Sequence, residues 1–123
     1  MLRTEGSQSY PPGLKYFYPS RGDFIALVGN LTTIPTLIRL SRRIRKYTPC
    51  EWLSVFNSGK LVSQTRLSDH SPFWDRGYSA LMVTDTAFLR NPHYHQPSDT
   101  IETLDLNFLT GVCQGLIDGI YAL

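Results

Sequence analysis

Residues 24–28, Phe-Ile-Ala-Leu-Val, form a short unbroken apolar run closed by Gly29-Asn30. That pattern suits a strand buried on both faces, as in a parallel sheet covered by helices. Beyond it the period lengthens. Ile34, Leu37, Ile38, Ser41 and Ile44 recur at helical spacing, with Thr32 or Thr33 as N-cap and Pro35 in the first turn. Arg39, Arg42, Arg43, Arg45 and Lys46 turn mostly outward and crowd the C-terminal half, where the helix dipole favours positive charge. The helix is predicted to end near Tyr47, before Pro49.

Residues 52–56 are a second candidate strand, followed by a turn at Asn57-Ser58-Gly59. Residues 60–67 suit extended structure as well as loop. Ser68 or Asp69 can cap a short helix over 71–76, which Gly77 would end. Residues 80–84, Ala-Leu-Met-Val-Thr, are a third strand. A long loop with two prolines covers 85–103, and loops of that length inside compact domains are usually functional. Leu109, Val112, Cys113, Leu116, Ile117 and Ile120 then form one apolar stripe on a last helix, from about Asp105 to the end of the chain. Such alternation predicts an α/β fold: a layered, mainly parallel (mixed) sheet flanked by helices. Ligands in such sheets gather beyond the carboxyl ends of strands.

A length of 123 residues suits a single domain over 1–123, with residues 1–22 as an extended loop region. The hydrophobic fraction of 41% and charged fraction of 18% are those of an ordinary globular protein. A net charge of +2 is too small for a nucleic-acid partner, and residues 39–46 lack interleaved aromatics, so a solvated helix face is the reading. No apolar run approaches the roughly 18 residues that span a bilayer, and the start of the chain has no apolar signal-peptide core. No membrane partner is expected. Cys50 and Cys113 read as buried free thiols.

Two clusters carry candidate chemistry. In Asn91-Pro-His-Tyr-His-Gln-Pro-Ser-Asp-Thr100, a histidine, His95, sits in a Pro-bracketed loop with Asp99 four positions on. His95 could bind a metal through one ring nitrogen, while Asp99 or a backbone carbonyl holds the other N–H. In Ser68-Asp69-His70-Ser71-Pro72-Phe73, Asp69 could orient water, accept a proton or hold another catalytic group. Each has a plain structural alternative. Asp69 can be a helix cap, His70 a packed or solvated neighbour, and Asp99 a brace of its own turn.

Taken together and in order, SDHSPFWDRGYSALMV and NPHYHQPSDT resemble the end of the zinc-dependent aminopeptidase family. That family includes bacterial leucyl aminopeptidases, aminopeptidase Y and glutaminyl cyclases. The paired motifs span 68–100, and the strand and Arg-rich helix before them extend the resemblance from about Tyr10 to the end. It implies a partial zinc-exopeptidase fold. It also implies His95 as the last metal ligand, Asp69 as the active-site acid near the metal centre, and Tyr94 and Asp85 as positions lining the substrate pocket. Gln96 stands where the family usually has Thr, and Ser79 where it has Pro.

Family members hold two zinc ions with a His-x-Asp motif, a Glu-Glu pair and a further acidic ligand, one glutamate of the pair being the general base. All of these lie upstream of the matching motifs. This sequence has no His-x-Asp and no Glu-Glu, and Glu5, Asp23 and Glu51 are the acidic residues before Asp69. They read as solvated charges. One histidine does not make a zinc site. The expectation is therefore the C-terminal half of a zinc exopeptidase, separated from its upstream half by truncation, a late start codon or a split gene. Alone it should bind no stoichiometric zinc and be inactive; completed, it should act on a peptide N-terminus. A non-catalytic interaction module on the same fold is the alternative. Half a sheet leaves an open edge and bare apolar faces, so self-association is expected.

Overall fold

The computed structural model describes residues 6–123. Glu5 and the first part of the anticipated N-terminal loop lie outside the described residues. The remainder of that loop runs without regular structure to residue 24, save for one 3-10 turn at Leu14–Tyr16.

Three strands make the sheet, in the order β2-β1-β3. The central strand β1, Ile25–Asn30, is buried along nearly its whole length, as its unbroken apolar run demands. β2, Cys50–Val55, runs parallel to it, with Ile25 opposite Cys50 and Asn30 opposite Val55. Helix α1, Ile34–Ile44, makes the crossover and buries Leu37, Leu40, Ser41 and Ile44. Pro35 sits in its first turn, where no amide hydrogen is needed.

The third strand departs from expectation. β3, Leu81–Thr84, pairs antiparallel with β1, so the mixed sheet has one parallel and one antiparallel pairing instead of a mainly parallel set. The physical reason lies in the connection. Helix α2, Ser71–Asp75, has five residues and advances only about 8 Å. That is too short to carry the chain back along a strand of roughly 20 Å. The chain stays at the carboxyl end of β1 and β3 starts there. Asn30 anchors it, donating from Nδ2 to the Tyr78 carbonyl (2.8 Å) and accepting from the Ala80 amide (3.4 Å), while Thr32 and Ser79 share a hydroxyl hydrogen bond (2.7 Å).

The faces of the sheet carry separate cores. Ile25, Leu27 and Cys50 pack with α1 and with Val112 of helix α3, Leu106–Tyr121. On the other face Val28 and Val55 pack around the indole of Trp74, whose Nε1 donates to the Ala80 carbonyl (2.9 Å). Asp105 caps α3 through the Phe108 amide (2.9 Å).

α3 also corrects the anticipated stripe. Its inward face is Phe108, Gly111, Val112, Gly115, Leu116 and Gly119, whereas Leu109, Cys113, Ile117 and Ile120 are exposed. Glycines at every fourth position let α3 lie directly on α1. A Cβ at Gly115 would come within 2.8 Å of the Ile44 Cα. Cys50 is buried as expected, but Cys113 is exposed because the glycines, not the larger side chains, seek the neighbouring helix. Among the described residues no helix is long and apolar enough to cross a membrane.

Candidate functional site

The two motif clusters approach the sheet from opposite ends of β1. The Asp69 segment leads into α2, at the carboxyl end of β1 and β2. Because β3 runs backwards, Asp85 and the His95 loop emerge beside the amino end of β1, where Thr84 pairs with Ala26. Asp85 and the His95 loop thus follow the carboxyl end of a strand, but β3 ends at the opposite end of the sheet from β1 and β2.

A trough runs between them, lined by neighbours of Asp69 and His95 and not by Asp69, His95 or Asp99 themselves. A cavity of about 420 Å³ lies along the open face of the sheet, floored by Ala26, Val28 and Met82. Ser68, next to Asp69, lines it, and so do Asp85 and Tyr94. Tyr10 and Tyr18 of the N-terminal segment contribute aromatic walls, their rings stacked at 6.1 Å. The Tyr18 hydroxyl donates to the Trp52 carbonyl (2.9 Å). Burial pushes the Tyr10 phenol up to about 12 against the opposing pull of the Arg90 charge, and burial raises Tyr18 in the same direction. Both phenols are therefore neutral at physiological pH.

His95 is exposed and adopts a left-handed backbone, φ 56°. Its ring stacks on Tyr94 with centroids 4.0 Å apart. Asp99 is exposed and its amide closes a turn onto the Gln96 carbonyl (3.0 Å). Side-chain bonds inside the loop centre on His93, whose Nδ1 is 2.9 Å from Ser98 Oγ and whose amide donates to Asn91 Oδ1 (2.9 Å). Asp85 is exposed and accepts from the Ala87 amide (2.9 Å), so one carboxylate oxygen braces its own turn.

Asp69 is exposed at the start of the α2 turn, and the cap of that helix uses no side-chain bond. Its neighbour His70 is the packed residue. His70 Nε2 donates to the Thr65 carbonyl (2.6 Å) and the ring meets Trp74 edge-on at 4.3 Å. That bond places the proton on Nε2, and Nδ1 is buried without a partner among the described residues.

Arg90 is the buried charge that sequence reasoning missed. Its Nε donates to Gln8 Oε1 (2.7 Å) and its Nη1 to the Phe24 carbonyl (2.6 Å), with the guanidinium 4.5 Å above the Phe24 ring. Burial lowers its pKa. An arginine before Asn-Pro reads as solvated. The one local hint is Gly22, where a Cβ would lie 2.9 Å from the Arg90 side chain.

No three histidine, cysteine, aspartate or glutamate side chains converge to hold a metal ion among the described residues. A catalytic zinc needs about three protein ligands, so the residues present do not by themselves fit that group.

Residues 40–118 match the model of peptidase family M28, and the chain belongs to that family of metallopeptidase hydrolases. It is 37% identical over 119 residues to a protein of Escherichia coli strain K12, "Uncharacterized protein YfbL". The match takes in 94% of this chain and 36% of that protein, so the chain spans about a third of the length of the curated relative it matches. No solved structure matches.

Proposed function

We propose that this chain forms the carboxy-terminal part of a zinc exopeptidase site, of aminopeptidase type, whose remaining metal ligands and general base come from residues outside this sequence. The observation that supports the reading is the combination of M28 membership with a ligand set that, among the described residues, falls short of three. In the completed site His95 is one metal donor and Asp99 orients its ring. Asp69 is the acid beside the centre, and Asp85 and Tyr94 line the groove that takes a peptide N-terminus. Loop exposure suits His95 to this role, since its ring can meet donors that other residues bring.

The test pairs zinc content with hydrolysis of aminoacyl-4-nitroanilides. The chain by itself should hold less than stoichiometric zinc and show no turnover. Joined to the part of the E. coli relative that it does not match, it should gain both and lose both on His95→Ala. Stoichiometric zinc with turnover in the isolated chain overturns the incompleteness. Turnover in the joined protein that ignores His95→Ala overturns the role of His95. The shortfall of ligands also favours a second reading, a non-catalytic interaction module on the peptidase fold. A joined protein that folds but gains neither zinc nor turnover selects it.

A further inference from the structure

Helix α3 presents an apolar seam on the side away from its glycines. Leu106, Leu109, Cys113, Ile117 and Ile120 point outward at 3- and 4-residue steps and are exposed, Ile117 and Ile120 by 60% and 61%. No charge falls on the seam. The one charged residue within α3, Asp118, is turned toward α1, 3.5 Å from both Arg43 and Lys46.

The seam is symmetric about its midpoint. From Cys113, Leu109 and Ile117 lie four residues either side, and Leu106 and Ile120 seven. An isologous contact demands that residue i meet j while j meets i. Two antiparallel copies of α3 crossing at Cys113 satisfy it: Leu109 faces Ile117 of the second copy, Leu106 faces Ile120, and the two thiols meet at the axis. With Tyr121 (90% exposed) and Leu123 at the end, the face offers roughly 500 Å² per copy, or about 1,000 Å² for a pair. That reaches the lower bound for a specific interface.

We infer that the seam of α3 is a twofold interface between copies of this chain, with Cys113 against its own symmetry mate. The inference stands on geometry and does not depend on the peptidase reading. Sedimentation of the 14.0 kDa chain should give a dimer, and a short bis-maleimide should link it through Cys113, leaving buried Cys50 unreacted. Ile117→Asp occurs twice per interface and should weaken dimerisation by about 100-fold or more, with loss of the cross-link. Leu61→Asp, at a still more exposed apolar residue off the seam, should leave the dimer intact. A monomer at all concentrations overturns the inference, as does a dimer that survives Ile117→Asp, which would place the contact at the sheet edge. Cys113 that is protected from alkylation in the joined protein, with that protein monomeric, also overturns it and assigns the seam to upstream residues.

Discussion

The ring of Tyr94 lies nearly parallel to that of His95, with 15° between the planes and 4.0 Å between centroids. Adjacent residues stack this way because His95 turns the chain into the left-handed region, φ 56°, and so brings its side chain back over its neighbour. Histidine tolerates that region better than most residues, yet glycine holds it without strain. An imidazole there costs some local stability relative to glycine.

This geometry sets an order of stabilities. In an ordinary loop, alanine is more stable than glycine by roughly 0.5–1 kcal/mol through the unfolded state. At position 95 the order should invert, with His95→Gly more stable than His95→Ala by about 1 kcal/mol. Urea unfolding of the two variants measures it. Alanine equal to or better than glycine would show that the turn is not left-handed in solution.

The glycine face of α3 gives a graded prediction. Gly115→Ala would place a methyl 2.8 Å from the Ile44 Cα, where backbone must move. Gly119→Ala would meet the tip of the Leu40 side chain instead, at 2.3 Å, and a rotamer change relieves it. Overpacking of this kind costs about 1–3 kcal/mol. Gly115→Ala should fall near the upper figure and Gly119→Ala near the lower, read as shifts in thermal midpoint. Equal losses, or a gain from the intrinsic helix preference for alanine, would mean that the two helices do not touch along the glycines.

The parts of the fold legible beforehand are those where local pattern and tertiary burial agree. The run at 24–28 placed β1 within two residues of its observed bounds, and the spacing of Leu37, Ser41 and Ile44 placed α1, whose end at Ile44 falls three residues before the expected Tyr47. The direction of β3 was not legible, because it depends on where the Asn30 side chain ties down Tyr78 and Ala80. Nor was the inward face of α3. A hydrophobicity pattern favours Ile117 and Ile120, but burial went to the glycines because close backbone approach wins van der Waals contact along the whole helix. In the site, the two motifs themselves were visible, whereas Arg90 makes its bonds to Gln8 and Phe24, 82 and 66 positions away.

Arg90 should be the most sensitive charged position. It is 5% exposed and, among the described residues, has no carboxylate bonded to it; its partners there are an amide oxygen and a carbonyl. Arg90→Lys keeps the charge but cannot reach both acceptors from one fork, leaving at least one of them buried and unpaired. An unpaired buried acceptor costs about 1–3 kcal/mol. The loss should appear in the urea midpoint, and Gln8→Ala should cost less in the Arg90→Lys background than in the parent. Strict additivity of the two substitutions would show that they do not share this contact.

Alkaline pH should destabilise the fold through three groups that burial holds protonated. Cys50 is pushed from its ordinary 9.0 to about 12 and Tyr10 from 10.0 to about 12, while Tyr18 is raised by the same cause. The unfolded chain releases these protons near the ordinary values; the native chain retains them. Stability is therefore fully present below pH 9 and declines as pH climbs toward 12, since in that window the native state binds more protons than the unfolded one. The urea midpoint should be level from pH 7 to 8.5 and then fall progressively from pH 9.5 to 11.5. Replacing both tyrosines by phenylalanine removes their share and should flatten the fall above pH 10, leaving the contribution of Cys50. A midpoint that holds constant to pH 11.5 would show that these side chains are solvated, and that the N-terminal segment does not close over the sheet.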